Sequence, residues 1–437
     1  MNRRFILVVC FGFLSCGWVW GQDKPAKWDL STCIDYALSQ NIQVKKTKVA
    51  LDESRENTMQ AKAELFPSLS FSSGQNLVNH PKGVNTDKNS YSGSYGFNSS
   101  VTLYNGGKLR KTFQQQELQE HIQELYIKEA ENDIELAITE SYLQILYADE
   151  AVKICQNTLE VSAAQCDRAR ELLAAGSVSR TDLAQLESQY SSDKYQLVAA
   201  QATLDQNKLD LKQLLELGIT EEMDLVIPEL TEEAVLKMIP GKVAVYEASL
   251  TIMPEIASSR LGIESAGLEK MKAQAGYLPS LNLTAGIGTS HVSGSDYTFG
   301  RQLRNSFNES VGLTLSVPIY SRRQNKSAVN IARLKVEDAE LSYQGAEKTL
   351  LKTVESVYLD AVSSQDRYKA ASESLNAAEL SFQLTREQFD LGMKNTVEFL
   401  TEKNKLLSAE QEVIQAKYLA ILSQQLLNFY QGKPIAL

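Results

Sequence analysis

The sequence predicts a mainly α-helical chain with a share in a membrane β-barrel: long antiparallel coiled-coil hairpins joined to four membrane strands. Three observations carry this. Stretches of roughly forty to seventy residues pass with almost no Gly or Pro while their apolar residues recur every seven. Twice a helical stretch meets a proline and strict alternation takes over, at FPSLSFSSG (66–74) and LPSLNLTAG (278–286). The polar members of the alternating runs are Ser, Thr, Asn and Gly with little charge, which suits strands with lipid on one side and water on the other.

In chain order, the basic MNRR and the apolar FILVVCFGFL, with Val19 and Gly21 at small-residue positions, read as a secretory signal over 1–21. The apolar run is too short to span a bilayer. Cys16 raises a lipid anchor as an alternative, but Phe13 and Leu14 fit a lipoprotein cleavage box badly. Lys and Arg number 44 against 54 acids, a net charge of −10, which argues against nucleic acid as a partner. Cleavage would leave three cysteines, Cys33, Cys155 and Cys166, an odd set that is no disulfide framework. Cys155 and Cys166 sit roughly 16 Å apart along one helix, so buried hydrophobes is the better reading.

The first structural repeat is placed at 22–217. A helix over about 42–65 precedes Pro67, and strands follow at about 68–79 and 90–104. In the second strand Tyr91, Tyr95, Phe97, Val101 and Leu103 face one way, against Ser92, Ser94, Asn98, Ser100 and Thr102. From Lys108 to about 173 the stripe Ile138, Ile145, Val152, Leu159, Cys166 and Leu173 is shadowed three residues later by Ser141, Ala148, Cys155, Ser162, Ala169 and Gly176. A seven-residue period implies left-handed supercoiling, and the small residues allow close approach. Gly176 and Ser179 mark a tip at about 174–181, before a returning helix. The long helix covers roughly 99 Å, nearly the sum of its two shorter neighbours at roughly 57 and 36 Å.

After a linker at 218–245, a second repeat at 246–430 restates the first. Adding 216 to the stripe positions reaches Val354, Ala361, Tyr368, Leu375, Phe382 and Phe389. Its strands fall at about 280–292 and 306–320, its tip at about 390–397 with Gly392 and Asn395, and a tail at 431–437. With no other sheet to cover the apolar faces, lipid must, and four strands cannot close a barrel. Copies must pool strands: two give eight, three give twelve.

The phrases WDLSTCIDYALSQN (28–41), FPSLSFSSG, LPSLNLTAG, VTLYNGGK (101–108), LSVPIYSRR (315–323) and both tips, in this order, resemble the TolC-type outer-membrane efflux family over essentially the whole mature chain. The resemblance implies a homotrimer with a 12-stranded β-barrel in the bacterial outer membrane and an α-helical tunnel through the periplasm. It also implies docking to a periplasmic adaptor protein and an inner-membrane transporter of RND, ABC or MFS type. By it, Glu398 falls on an acidic gate position, Lys394 on a basic latch and Asp182 on the acid paired with that latch. Thr401 stands where a second gate acid is usual, Phe389 where a tyrosine is common, and Ser321-Arg322-Arg323 where a glycine pair is usual. Gly176, Ser177, Val178, Gly392 and Met393 fall at the adaptor-docking tips. Plain helix capping is the competing explanation for the tip glycines and first-turn acids.

The sequence offers no enzyme and no cofactor site. His80, His121 and His291 lack zinc spacing, and GGK at 106–108 is not a phosphate loop. The expected function is therefore a passive exit duct of a tripartite efflux system for small molecules such as drugs. The alternatives are the exit of a type I protein-secretion system and a barrel-anchored structural or adhesive stalk.

Overall fold

With no Gly or Pro to stop it, the first long helix runs for 67 residues, and its counterpart tolerates one glycine over the same length. The computed structural model describes residues 27–79, 89–228 and 232–437; the expected signal segment, Cys16 and His80 lie outside them. The first repeat comprises α1 (Leu30–Gln40), α2 (Ile42–Ala63), β1 (Ser68–Asn79), β2 (Asn89–Asn105), α3 (Lys108–Ala174) and α4 (Arg180–Leu214). A four-residue α5 (Glu232–Val235) follows. The second repeat comprises α6 (Lys242–Ile252), α7 (Pro254–Ala275), β3 (Ser280–Val292), α8 (Phe299–Asn305), β4 (Asn308–Ser316), α9 (Gln324–Asp390) and α10 (Thr396–Tyr430). Both repeats use helices of 11, 22, 67 and 35 residues. The bounds of α3 and α4 moved on by 216 are those of α9 and α10. α6 has the same length as α1, 11 residues, and spans the expected start of the second repeat at 246.

The seven-residue stripe is the packed face. Ile138, Ile145, Cys166, Val354, Ala361 and Tyr368 are buried, as are the small Ser141, Ala148, Cys155, Ser162 and Ala169. All three cysteines are free, and burial pushes the Cys33 thiol up to about 12. α3 packs on α4 along one part and between α2 and α7 along another, while α9 packs on α7 and α10. Around the middle, the Trp28 N–H donates to the Asp224 carbonyl and the Val226 N–H to that of Trp28, each at 2.9 Å. The tail is held by Gln425, whose amide nitrogen donates to the Ala436 carbonyl at 2.7 Å.

The strands form one antiparallel sheet in the order β1-β2-β3-β4. Its register stacks Val101, Leu283 and Leu313 in one apolar row and Phe71, Phe97 and Ile287 in another. The opposite face carries rows such as Ser70, Asn98, Gly286 and Ser310. Two details differ from the sequence expectation. A bulge drops Leu103 from the ladder, and Tyr104 takes its place opposite Leu281. β4 covers only Asn308–Ser316, since Pro318 brings no N–H to extend it; Phe307, Val317 and Ile319 lie outside the ladder. Among the described residues β1 and β4 each have a free edge, and no helix is long and apolar enough to cross a membrane.

Candidate functional site

Each tip is fixed by backbone hydrogen bonding before any side chain acts. At the end of α3 the Ser177 N–H donates to the Leu172 carbonyl at 2.8 Å and Gly176 N–H to that of Leu173 at 3.0 Å. At the end of α9 Met393 donates to Gln388 at 2.8 Å and Gly392 to Phe389 at 3.0 Å. This double bond needs a left-handed residue, and Gly176 and Gly392 supply φ of +74° and +73°. The next helices start on capping boxes. The Asp182 N–H donates to Ser179 Oγ at 3.1 Å while its carboxylate accepts from the Ser179 N–H at 3.2 Å. Glu398 and Asn395 exchange the same pair at 2.9 and 3.2 Å.

The structure sets Asp182, Phe389 and Lys394 around one cleft, with Glu398 paired to Lys394 and Thr401 apart from them. Lys394 pairs with Glu398 of its own tip at 3.2 Å, not with Asp182. Asp182 instead accepts from the Thr396 hydroxyl at 3.0 Å, which joins the two tips. The Ser179 hydroxyl, then Thr396, hold the Asp182 carboxyl below its ordinary value. The Asn395 N–H, then Lys394, do the same for Glu398. A depressed carboxylate contributes stability above the unfolded value and loses it as pH falls through the folded one, so the capping contribution of both acids is lost on acidification. Phe389 stacks on Phe399 with ring centroids 4.7 Å apart. Thr401 turns its hydroxyl back to the Val397 carbonyl at 2.7 Å and meets none of the others. A cleft of about 400 Å³ separates the tips, lined in part by Val178, Asp182, Gly392 and Lys394.

Three ties between the hairpins lie outside the sequence expectation. Arg168 of α3 bonds the Asp390 carboxylate and, at 3.0 Å, its carbonyl. Glu150 of α3 receives Lys417 at 2.9 Å and the Tyr418 hydroxyl at 2.8 Å from α10. Deepest is Lys403 of α10, 4% exposed, bonded to Asp193 of α4, 1% exposed, and to the hydroxyl of Ser162 of α3. Ser162 donates in turn to Asp193, and Gln189 completes the carboxylate at 2.8 Å. A signal for it exists: Asp193 sits three residues after Tyr190 and Lys403 four after Phe399, charges on an otherwise apolar stripe.

The model of the family described as outer membrane efflux protein matches residues 33–216 and 245–433, nearly all of both repeats. The chain belongs to that family. Alkaline protease secretion protein AprF of Pseudomonas aeruginosa is 25% identical over 301 residues, 67% of this chain and 61% of that protein. Outer membrane protein TolC of Escherichia coli K12 is 23% identical over 88% of this chain and 78% of TolC. A solved structure of CusC superimposes with a TM-score of 0.81 at 20% identity, covering 93% of this chain and 92% of that one. As an outer membrane efflux protein, the chain resides in the outer membrane. Its fold is that of the CusC channel.

Proposed function

We propose that three copies of this outer membrane efflux protein close into one exit duct. The observation that carries this is the pair of free sheet edges in a chain whose two repeats already join through β2 and β3. Applying the same relation once more sets β4 of one copy beside β1 of the next, and α9 beside the next copy's α4. Two copies would give eight strands, a barrel whose interior side chains fill, whereas twelve leave a lumen. The Ser, Thr, Asn and Gly face suits water inside it.

The two kinds of helix seam then differ. Within a chain the two hairpins are tied by Glu150 of α3 with Lys417 of α10, Asp193 of α4 with Lys403 of α10, and Arg168 of α3 with Asp390 of α9. At the positions related by 216 residues, the seam between copies places Asp366 with Gln201, Leu384 with Ala174, and Glu187 with Ala378 and Ala409. No such ion pair is available there. The duct opens by parting between copies, each chain's hairpins moving together.

Three copies of Glu398 at the narrow end favour cations. Gln at this position keeps the capping box, so Glu398→Gln should leave folding intact and lower cation selectivity in planar bilayers. An unchanged reversal potential would remove Glu398 from the constriction. The tips, through Gly176, Ser177, Val178, Gly392 and Met393, would dock a periplasmic adaptor serving an inner-membrane transporter; Leu391 and Met393, 76% and 71% exposed, offer it apolar contact. Small molecules such as drugs are the proposed cargo. AprF, named for protease secretion, keeps a type I secretion exit as the second reading. The inner-membrane partner that co-purifies separates the two, and ion conductance separates a duct from a silent stalk.

A further inference from the structure

The chain carries a net charge of −10, yet the two exits from strand to long helix, 105–116 and 316–326, contain six Lys and Arg and no acid. Lys108, Arg110, Arg322, Arg323 and Lys326 are exposed, and Lys111 is half-buried. None of the six is paired with a carboxylate among the described residues; Lys111 has only the neutral Gln114 at 3.0 Å. The patch adjoins the apolar band of the sheet. Tyr104 closes that band on β2, and Tyr320, 86% exposed, sits two residues before Arg322. Aromatic rings at this level are the usual marker of a membrane boundary. Since the long helices lead away from this end of the sheet, the boundary is the periplasmic one.

We infer that this basic girdle binds the headgroups of anionic phospholipids in the inner leaflet of the outer membrane. The inference rests on the barrel reading above. Charge complementarity selects the partner: uncompensated guanidinium and ammonium groups lie beside lipid-facing rows, and phosphodiesters are the anions present at that depth. The second repeat shows how far the chain departs to place them. Arg322 and Arg323 have φ of +45° and +69°, in the conformation that Gly106 and Gly107 adopt at the related positions with +67° and +80°. Side chains other than glycine rarely take up that region, so the junction does not need arginine in order to fold.

That difference supplies a test in which a structural role and a lipid role move in opposite directions. Arg322→Gly with Arg323→Gly should raise the melting temperature of the purified full chain. It should also weaken retention of phosphatidylglycerol, titrated into detergent micelles and read by native mass spectrometry, about five-fold for each arginine. Phosphatidylcholine retention should not change. Equal phosphatidylglycerol retention by both proteins, or a double variant that melts lower or loses its oligomer, would overturn the inference and give the arginines to packing or a subunit contact. Conductance of the same samples separates the two readings: loss of the lipid effect in a conducting protein overturns only the girdle, whereas an unmodified protein that neither inserts nor conducts overturns the barrel.

Discussion

Replacing Lys403 by methionine is expected to destabilise the hairpin pair by about 3–5 kcal/mol, because it leaves Asp193 charged, buried and short of its cation. Removing Lys403 together with Asp193, as Lys403→Met with Asp193→Leu, is expected to recover most of that loss, since apolar groups of similar size replace both ions. Urea unfolding followed by circular dichroism gives the magnitude, and hydrogen exchange over 396–410 locates it. Exchange should quicken there in the single variant and return towards the unmodified rate in the double one. A single variant as stable as the parent would show that the pair does not hold α10 to α3 and α4. The same variant bears on opening: with the tie gone, the hairpins of one chain can separate from each other as well as from the next copy.

Leu283→Arg is expected to abolish stable insertion. Leu283 lies in the row of Val101 and Leu313 on the apolar face, and an arginine facing lipid at mid-depth costs about 2–4 kcal/mol in each copy. Its neighbour Thr284 points the other way, with Ser100 and Gly312. Thr284→Arg should insert normally and instead lower single-channel conductance by narrowing the bore. Heat-resistant oligomer on gels and planar-bilayer current report the two outcomes. If both variants inserted equally well, the division of the sheet into lipid and water faces would be wrong.

The contrast between these two sites shows what the sequence makes legible. Period is a local property, so the stripe from Ile138 to Cys166 and the alternation from Leu281 to Ile287 name their buried and lipid faces without knowledge of the partner. The same is true of the tips, where Gly176 with Ser179 and Gly392 with Asn395 are short-range hydrogen-bonding devices. What is less legible depends on residues distant in sequence or on a single irregularity. Lys403 meets Asp193 across 210 residues, and Arg168 meets Asp390 across 222. Lys394, expected to reach Asp182, settles on Glu398 four residues away, where a helical turn brings an opposite charge at almost no entropic cost. The bulge at Leu103 reverses only the end of one strand, because alternation cannot reveal where one residue is skipped.

Inter-subunit strand pairing can be tested by linking two residues. Carried across the copies, the register of β2 with β3 places Val311 of β4 beside Leu77 of the neighbouring copy's β1; both are open in one chain, at 80% and 72% exposure. Oxidation of a Val311→Cys, Leu77→Cys double variant in outer membranes should give a covalent ladder that ends at three chains, with neither single variant forming it. A ladder ending at two chains, or no link between copies, would contradict the shared wall.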